Sequence, residues 1–190
     1  MVNRAFPQHE SPHAPRRWWA RWCRRVAHRW YVLTTPALMQ PALQAQWAAH
    51  IAVSEEQHEG QIAVYVEREL PAHYISADRT ARDRAVGLFG KLGVWDTEYN
   101  NGVLIYLLEA EHAIEIVADR GVRTCTQEAD WTAIAQQLAQ LLQAGQTSQG
   151  MLLAVDSVGA LLAAHFPRAT DNTADAPRAL DNEVPDFPVL

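Results

Sequence analysis

Asp96, Glu98, Asn100 and Asn101 fall within six positions, and Gly102 follows them directly. Carboxylate and amide oxygens grouped this closely are the donor type that hard cations take. A second polar turn, Asp119-Arg120-Gly121, stands further along the chain. Asp96, Asn100, Asn101 and Asp119 are therefore the candidate ligands for Ca²⁺ or Mg²⁺. Asp96 and Arg120 are the candidate catalytic residues, because a bound cation can polarise a phosphate ester and acidify a water. The spacing is not that of an EF-hand, which alternates oxygen ligands along a twelve-residue loop. A plainer alternative stays open: Asp96 caps a turn, and the Asn pair satisfies loop backbone groups.

Arg79 and Arg82 flank the start of an expected helix, where helix N-termini favour anions, and are the candidate phosphate clamp. They alternate with Asp78 and Asp83, so ordinary surface pairs involving Arg84 are the competing reading. The eight histidines are dispersed and show no i, i+4 pair of the kind that holds zinc on a helix. Cys23 and Cys125 match no metal spacing and read as free thiols. Glycine-rich phosphate loops and nucleophile elbows are both missing. Phe89, Trp95 and Tyr99 read as core and rim aromatics.

Charge is distributed unevenly. Before Thr35 there are seven Arg against one Glu, about +6, which leaves about −12 for the remainder of a chain whose net charge is −6. On a helix, Trp18, Trp19, Trp22, Val26, Trp30 and Leu33 form one stripe. Arg17, Arg21, Arg24, Arg25 and His28 project from the other side. Tryptophan beside arginine suits an interfacial helix. Residues 16–33, with Trp18, Trp19, Arg21, Trp22 and Arg25 foremost, are thus the candidate contact for an anionic membrane surface or a protein partner. The bland alternative packs the stripe on the chain's own domain and leaves the arginines solvated. No nucleic-acid partner is expected, since no aromatic and basic β platform accompanies the arm. No stretch approaches the roughly 20 apolar residues of a bilayer span, and no apolar h-region follows Arg16-Arg17. The expected location is cytoplasmic, peripheral to the inner membrane.

The elements that must position these residues follow from periodicity. Residues 1–15 read as a flexible lead-in, 16–35 as the basic helical arm, 36–166 as the domain, and 167–190 as a disordered acidic tail. Within the domain a helix runs from Thr35-Pro36 to about residue 57, then a strand over 61–67 and a loop over 71–77. A helix over 81–92 begins at a Thr80/Asp83 capping box. The run Val103 to Leu108 is apolar on both faces and reads as a central strand. A tight reversal at Glu109 to His112 returns the chain as a strand over 113–118, so the sheet is mixed. Helices over about 127–143, capped by Thr126, and over 151–166 complete the chain. The fold class is α/β: a three-layer α/β/α sandwich with a small mixed central sheet and two C-terminal helices. By strand direction, Asn101 and Asp119 meet at one sheet edge.

The pattern Arg82-x-x-Ala85-x-x-x-Phe89-x-x-Leu92, Trp95-Asp96, Asn100-Asn101-Gly102-Val103-Leu104-Ile105, Ile114-Glu115-Ile116 and Asp119-Arg120-Gly121 resembles the TPM domain family. That family is named for a thylakoid lumen protein, a photosystem II repair protein and a nematode receptor modulator. The resemblance covers roughly residues 40–165 and looks like the short bacterial form that carries the domain alone. It implies the α/β/α sandwich, a weak acid-phosphatase activity assisted by a divalent cation, and cation binding near the acidic turn. A non-enzymatic ligand-binding adaptor, tethered by the basic Trp/Arg helix, is the alternative. Where relatives often have Gly-Glu-Ile entering the first strand, this chain has Gly60-Gln61-Ile62. That departure puts any activity depending on the Glu in doubt.

Overall fold

The computed structural model describes residues 14–168, with side chains from residue 18. Most of the expected lead-in and nearly all of the expected acidic tail lie outside the described residues. A three-stranded sheet of order β1-β2-β3 forms the middle layer. Its centre is β2 (Gly102–Leu108), buried along its whole length. It runs parallel to β1 (Gln61–Glu67) and antiparallel to β3 (Ala113–Ala118). Alternation sends Val103, Ile105 and Leu107 into one core and Leu104, Tyr106 and Leu108 into the other. The first core is closed by α2 (Pro41–Glu55), α6 (Glu128–Gln143) and α7 (Thr147–His165). Two helices, α3 (Ala72–Ser76) and α4 (Ala81–Lys91), close the second.

The caps account for several boundaries. Thr80 and Asp83 form the expected reciprocal box at the start of α4. The helix expected from Pro36 starts instead at Pro41, with Gln40 extended before it, because proline suits a first helical position. The expected loop over 71–77 contains α3. Thr126 does not cap α6; Gln127 does, while the Thr126 hydroxyl donates to Val122 O. The turn at 119–121 opens a short helix, α5 (Arg120–Cys125), with Asp119 as its N-cap. The last helix begins at Thr147, four residues before the expected start. By length and composition α7 could cross a membrane, contrary to the expectation that no segment would qualify. Met151, Ala154, Val155, Val158 and Leu162 instead fill the core between α2 and α6.

The basic arm, α1 (Ala14–Thr34), lies on α3 and on the 3₁₀ turn Glu109–Glu111, with its polar face inward. This overturns the alternative in which the tryptophan stripe packs on the domain. His28 is only 2% exposed. Its Nδ1 accepts from the Leu70 N–H at 3.2 Å, which leaves Nε2 to donate to Glu111 at 2.8 Å. Arg24 pairs with the same carboxylate and donates to Arg79 O at 2.7 Å. Burial pushes the Glu111 carboxyl up, but the hydrogen bonds from Arg24 and His28 outweigh it and hold the group below its usual range. The surface beneath the arm offers carboxylates, so the cationic side docks and the indoles face out.

Candidate functional site

The corner preceding β2 is built by small residues that let backbone oxygens approach. After α4, Gly93 turns the chain with φ +74 and brings Val94 into the second core. A Cβ on Gly102 would lie 1.9 Å from Val94 O, so only glycine lets that carbonyl rest against the sheet. Asn100 takes the left-handed conformation, with φ 52, which asparagine tolerates better than most residues. A Cβ on Gly121 would lie 2.5 Å from Asn100 O and 2.6 Å from Tyr99 O. The first turn of α5 therefore lies directly on these carbonyls. The two polar corners meet in space.

Register gives the corner its chemistry. Gln61 pairs with Gly102 on one side, and on the other the Asp119 N–H donates to Gly102 O at 2.9 Å. The three residues form one row across the sheet. Alternation from Ala63 and Val117 puts the side chains of Gln61 and Asp119 on the α4 face, either side of Gly102 and Val94 O. Oε1 of Gln61 and Oδ2 of Asp119 are both buried without a hydrogen-bond donor. The other oxygen of Asp119 accepts from the Arg120 N–H at 2.6 Å. Buried acceptors lacking a donor are rare and costly, which makes two of them flanking one glycine informative. Asn101, one residue earlier, belongs to the opposite face. Its amide donates to Glu59 O at 3.0 Å, while its Oδ1 is a further buried oxygen without a partner.

The remaining candidates stand apart from this row. Asp96 is exposed, and its carboxylate has no partner among the described residues. Arg120 is exposed and makes no ion pair with Asp96. Arg82 donates to Ile116 O at 2.6 Å and lies 3.6 Å from Glu115. Arg79 stacks its guanidinium 5.6 Å from the Tyr74 ring centre. Arg82 and Arg79 are thus engaged at different places. Among the described residues no group of three or more His, Cys, Asp or Glu converges as a metal cluster.

Gln61 is the residue that spacing alone did not offer as a ligand; its signal was the departure at Gly60-Gln61-Ile62. Two further features had none. Arg84 forms a bidentate pair with Glu67 at 2.9 and 2.7 Å, and the Tyr106 hydroxyl donates to the same carboxylate at 2.7 Å. Burial, reinforced by the Glu67 charge, pushes the Tyr106 hydroxyl far above its ordinary range. At the opposite end of β2, Tyr31, Leu38, Leu107, Glu109 and Leu142 line a largely apolar cavity of about 520 Å³. Burial pushes the Glu109 carboxyl up there, against a hydrogen bond from the Leu38 N–H.

A family model for the TPM domain matches residues 32–161. The NMR structure of the BA42 protein from the psychrophilic bacterium Bizionia argentinensis is similar, with 22% identity and a TM-score of 0.63. The match covers 76% of this chain and 94% of that one, and the likeness is one of fold. No curated relative matches the sequence.

Proposed function

Because the chain belongs to the TPM domain family, we propose that it is a divalent-cation-binding domain whose site is the row Gln61–Gly102–Asp119. The observation that carries this reading is the pair of donor-less buried oxygens flanking Gly102. Asp119 supplies the negative charge, and Gln61 Oε1 and Val94 O supply neutral oxygens. All are oxygen, the donor set that Ca²⁺ and Mg²⁺ accept and a phosphate does not. When bound, the cation would contribute positive charge toward an anionic ligand. One carboxylate among neutral donors makes a weak site, of the class with Kd about 10⁻⁴–10⁻³ M.

The phosphatase reading has less support. Asp96 lies outside the row, Arg82 is held by Ile116 and Glu115, and position 61 carries a neutral glutamine in place of the glutamate that the resemblance implies. A binding role therefore fits better than efficient hydrolysis. Hydrolysis of p-nitrophenyl phosphate should not differ between the wild type and Asp96→Ala; a loss of turnover in that variant would restore the enzyme reading.

Thermal melting with Ca²⁺, Mg²⁺ or EDTA tests the site. At tenfold excess over Kd, binding to the native state adds about 1.4 kcal/mol, which raises the midpoint by about 3–5 °C. Asp119→Asn keeps a competent N-cap but removes the charge, and should abolish the rise. Gln61→Glu should enlarge it. A rise unchanged in Asp119→Asn would move the cation elsewhere.

A further inference from the structure

We infer that the outward face of α1 is a docking surface for an anionic lipid membrane. This does not depend on the cation site. His28 and Arg24 are tied to Glu111, Leu70 and Arg79, so the helix is fixed in rotation as well as in place. Fixing that face inward forces the other outward. At roughly 100° per residue, Trp18, Trp19, Trp22, Val26, Trp30 and Leu33 fall within an arc of about 120° opposite His28.

All six are exposed, Trp30 by 69% and Leu33 by 71%. The stripe from Trp18 to Leu33 is about 22 Å long at the helical rise. Its indoles support one another: Trp19 and Trp22 stack at 5.2 Å between ring centres, and Trp18 meets Trp19 edge-on at 5.5 Å. A domain that merely tolerated surface apolar groups would scatter them.

Charge selects the occupant. Arg25 is exposed on the flank of the stripe, and Arg29 is 67% exposed with only a loose 3.5 Å contact to Glu69. The helix contains no Asp or Glu. A second copy would oppose stripe to stripe and bring arginines together without a carboxylate on either helix to pair them. Anionic lipid supplies the missing negative charge in a plane, and indoles settle at headgroup depth while cations meet phosphate. The domain behind the helix is acidic, so its repulsion partly offsets the arginines. Aromatic burial should then carry most of the binding.

The experiment is flotation of the full chain with phosphatidylcholine vesicles, with and without phosphatidylserine, at low and high salt. The wild type should float with the phosphatidylserine vesicles at low salt and weaken at high salt. The Trp22→Ser/Trp30→Ser variant should lose affinity by about tenfold or more. Arg25→Glu should lose less, with the difference vanishing at high salt. Both changes are at exposed positions, and unchanged melting midpoints would confirm that the fold is intact. Three results would overturn the inference: no flotation at low salt, equal flotation of the Trp variant, or a stripe-dependent dimer in sedimentation that stays with the unbound fraction.

Discussion

Arg84→Ala should lower the unfolding free energy by about 3 kcal/mol, because removing one partner of a buried pair leaves the other uncompensated. The Arg84 and Glu67 side chains are 14% and 12% exposed, so water can repair little of the loss. Tyr106 cannot replace the guanidinium: it offers one hydroxyl donor where Arg84 offers two hydrogen bonds. Arg84 also lies 5.2 Å from the Tyr74 ring centre, so its removal loosens α3 as well. Urea unfolding should show a lower midpoint at an unchanged slope. The Arg84→Ala/Glu67→Gln double variant should recover at least half the loss, since it removes the stranded charge. A double variant no better than the single one would mean that packing, not charge, sets the cost.

Gly102→Ala should be comparably severe, at about 3 kcal/mol, the upper part of what overpacking usually costs. A methyl 1.9 Å from Val94 O meets a backbone carbonyl and not the end of a flexible side chain, so no rotamer change can absorb it. The strand must part from the α4 connection, which also separates Gln61 from Asp119. Loss of the cation-induced rise in melting temperature should therefore accompany the loss of stability. Gly90→Ala in α4 is the matched control. A Cβ there meets nothing within 4 Å, and the change should leave stability equal or raise it by about 0.5–1 kcal/mol. If Gly102→Ala melts like the wild type, the corner is looser than described.

Much of the fold was legible because it rests on local signals. Val103 to Leu108 has no polar face, which demands cover on both sides, and Thr80 with Asp83 marks the start of α4 without ambiguity. The meeting of the corners at Gly102 and Asp119 followed from strand direction alone. What the sequence could not show was register. Whether Asn101 or Gln61 shares a face with Asp119 depends on a one-residue offset, and an offset of one reverses every side chain. Which residue of the Asn100-Asn101-Gly102 turn would take left-handed dihedrals was equally open. The structure gives that conformation to Asn100 and uses Gly102 for clearance instead.

The orientation of the arm was not legible for a related reason. A hydrophobic stripe identifies which side of a helix is apolar, but not which side the neighbouring surface will accept. Glu109 and Glu111 lie far from the arm in sequence and are brought beneath it only by the tight turn after β2. Arg84 was equally opaque, since its partner Glu67 comes from a preceding strand and not from the aspartates beside it.

The cation reading stands most directly on an amide NMR titration of the ¹⁵N-labelled full chain with Ca²⁺. The predicted result is saturable shifts centred on Gln61, Gly102, Asp119 and Arg120, absent in Asp119→Asn and tighter in Gln61→Glu. Shifts confined to exposed carboxylates such as Asp96 and Glu98, or no saturable shift at millimolar Ca²⁺, would contradict it.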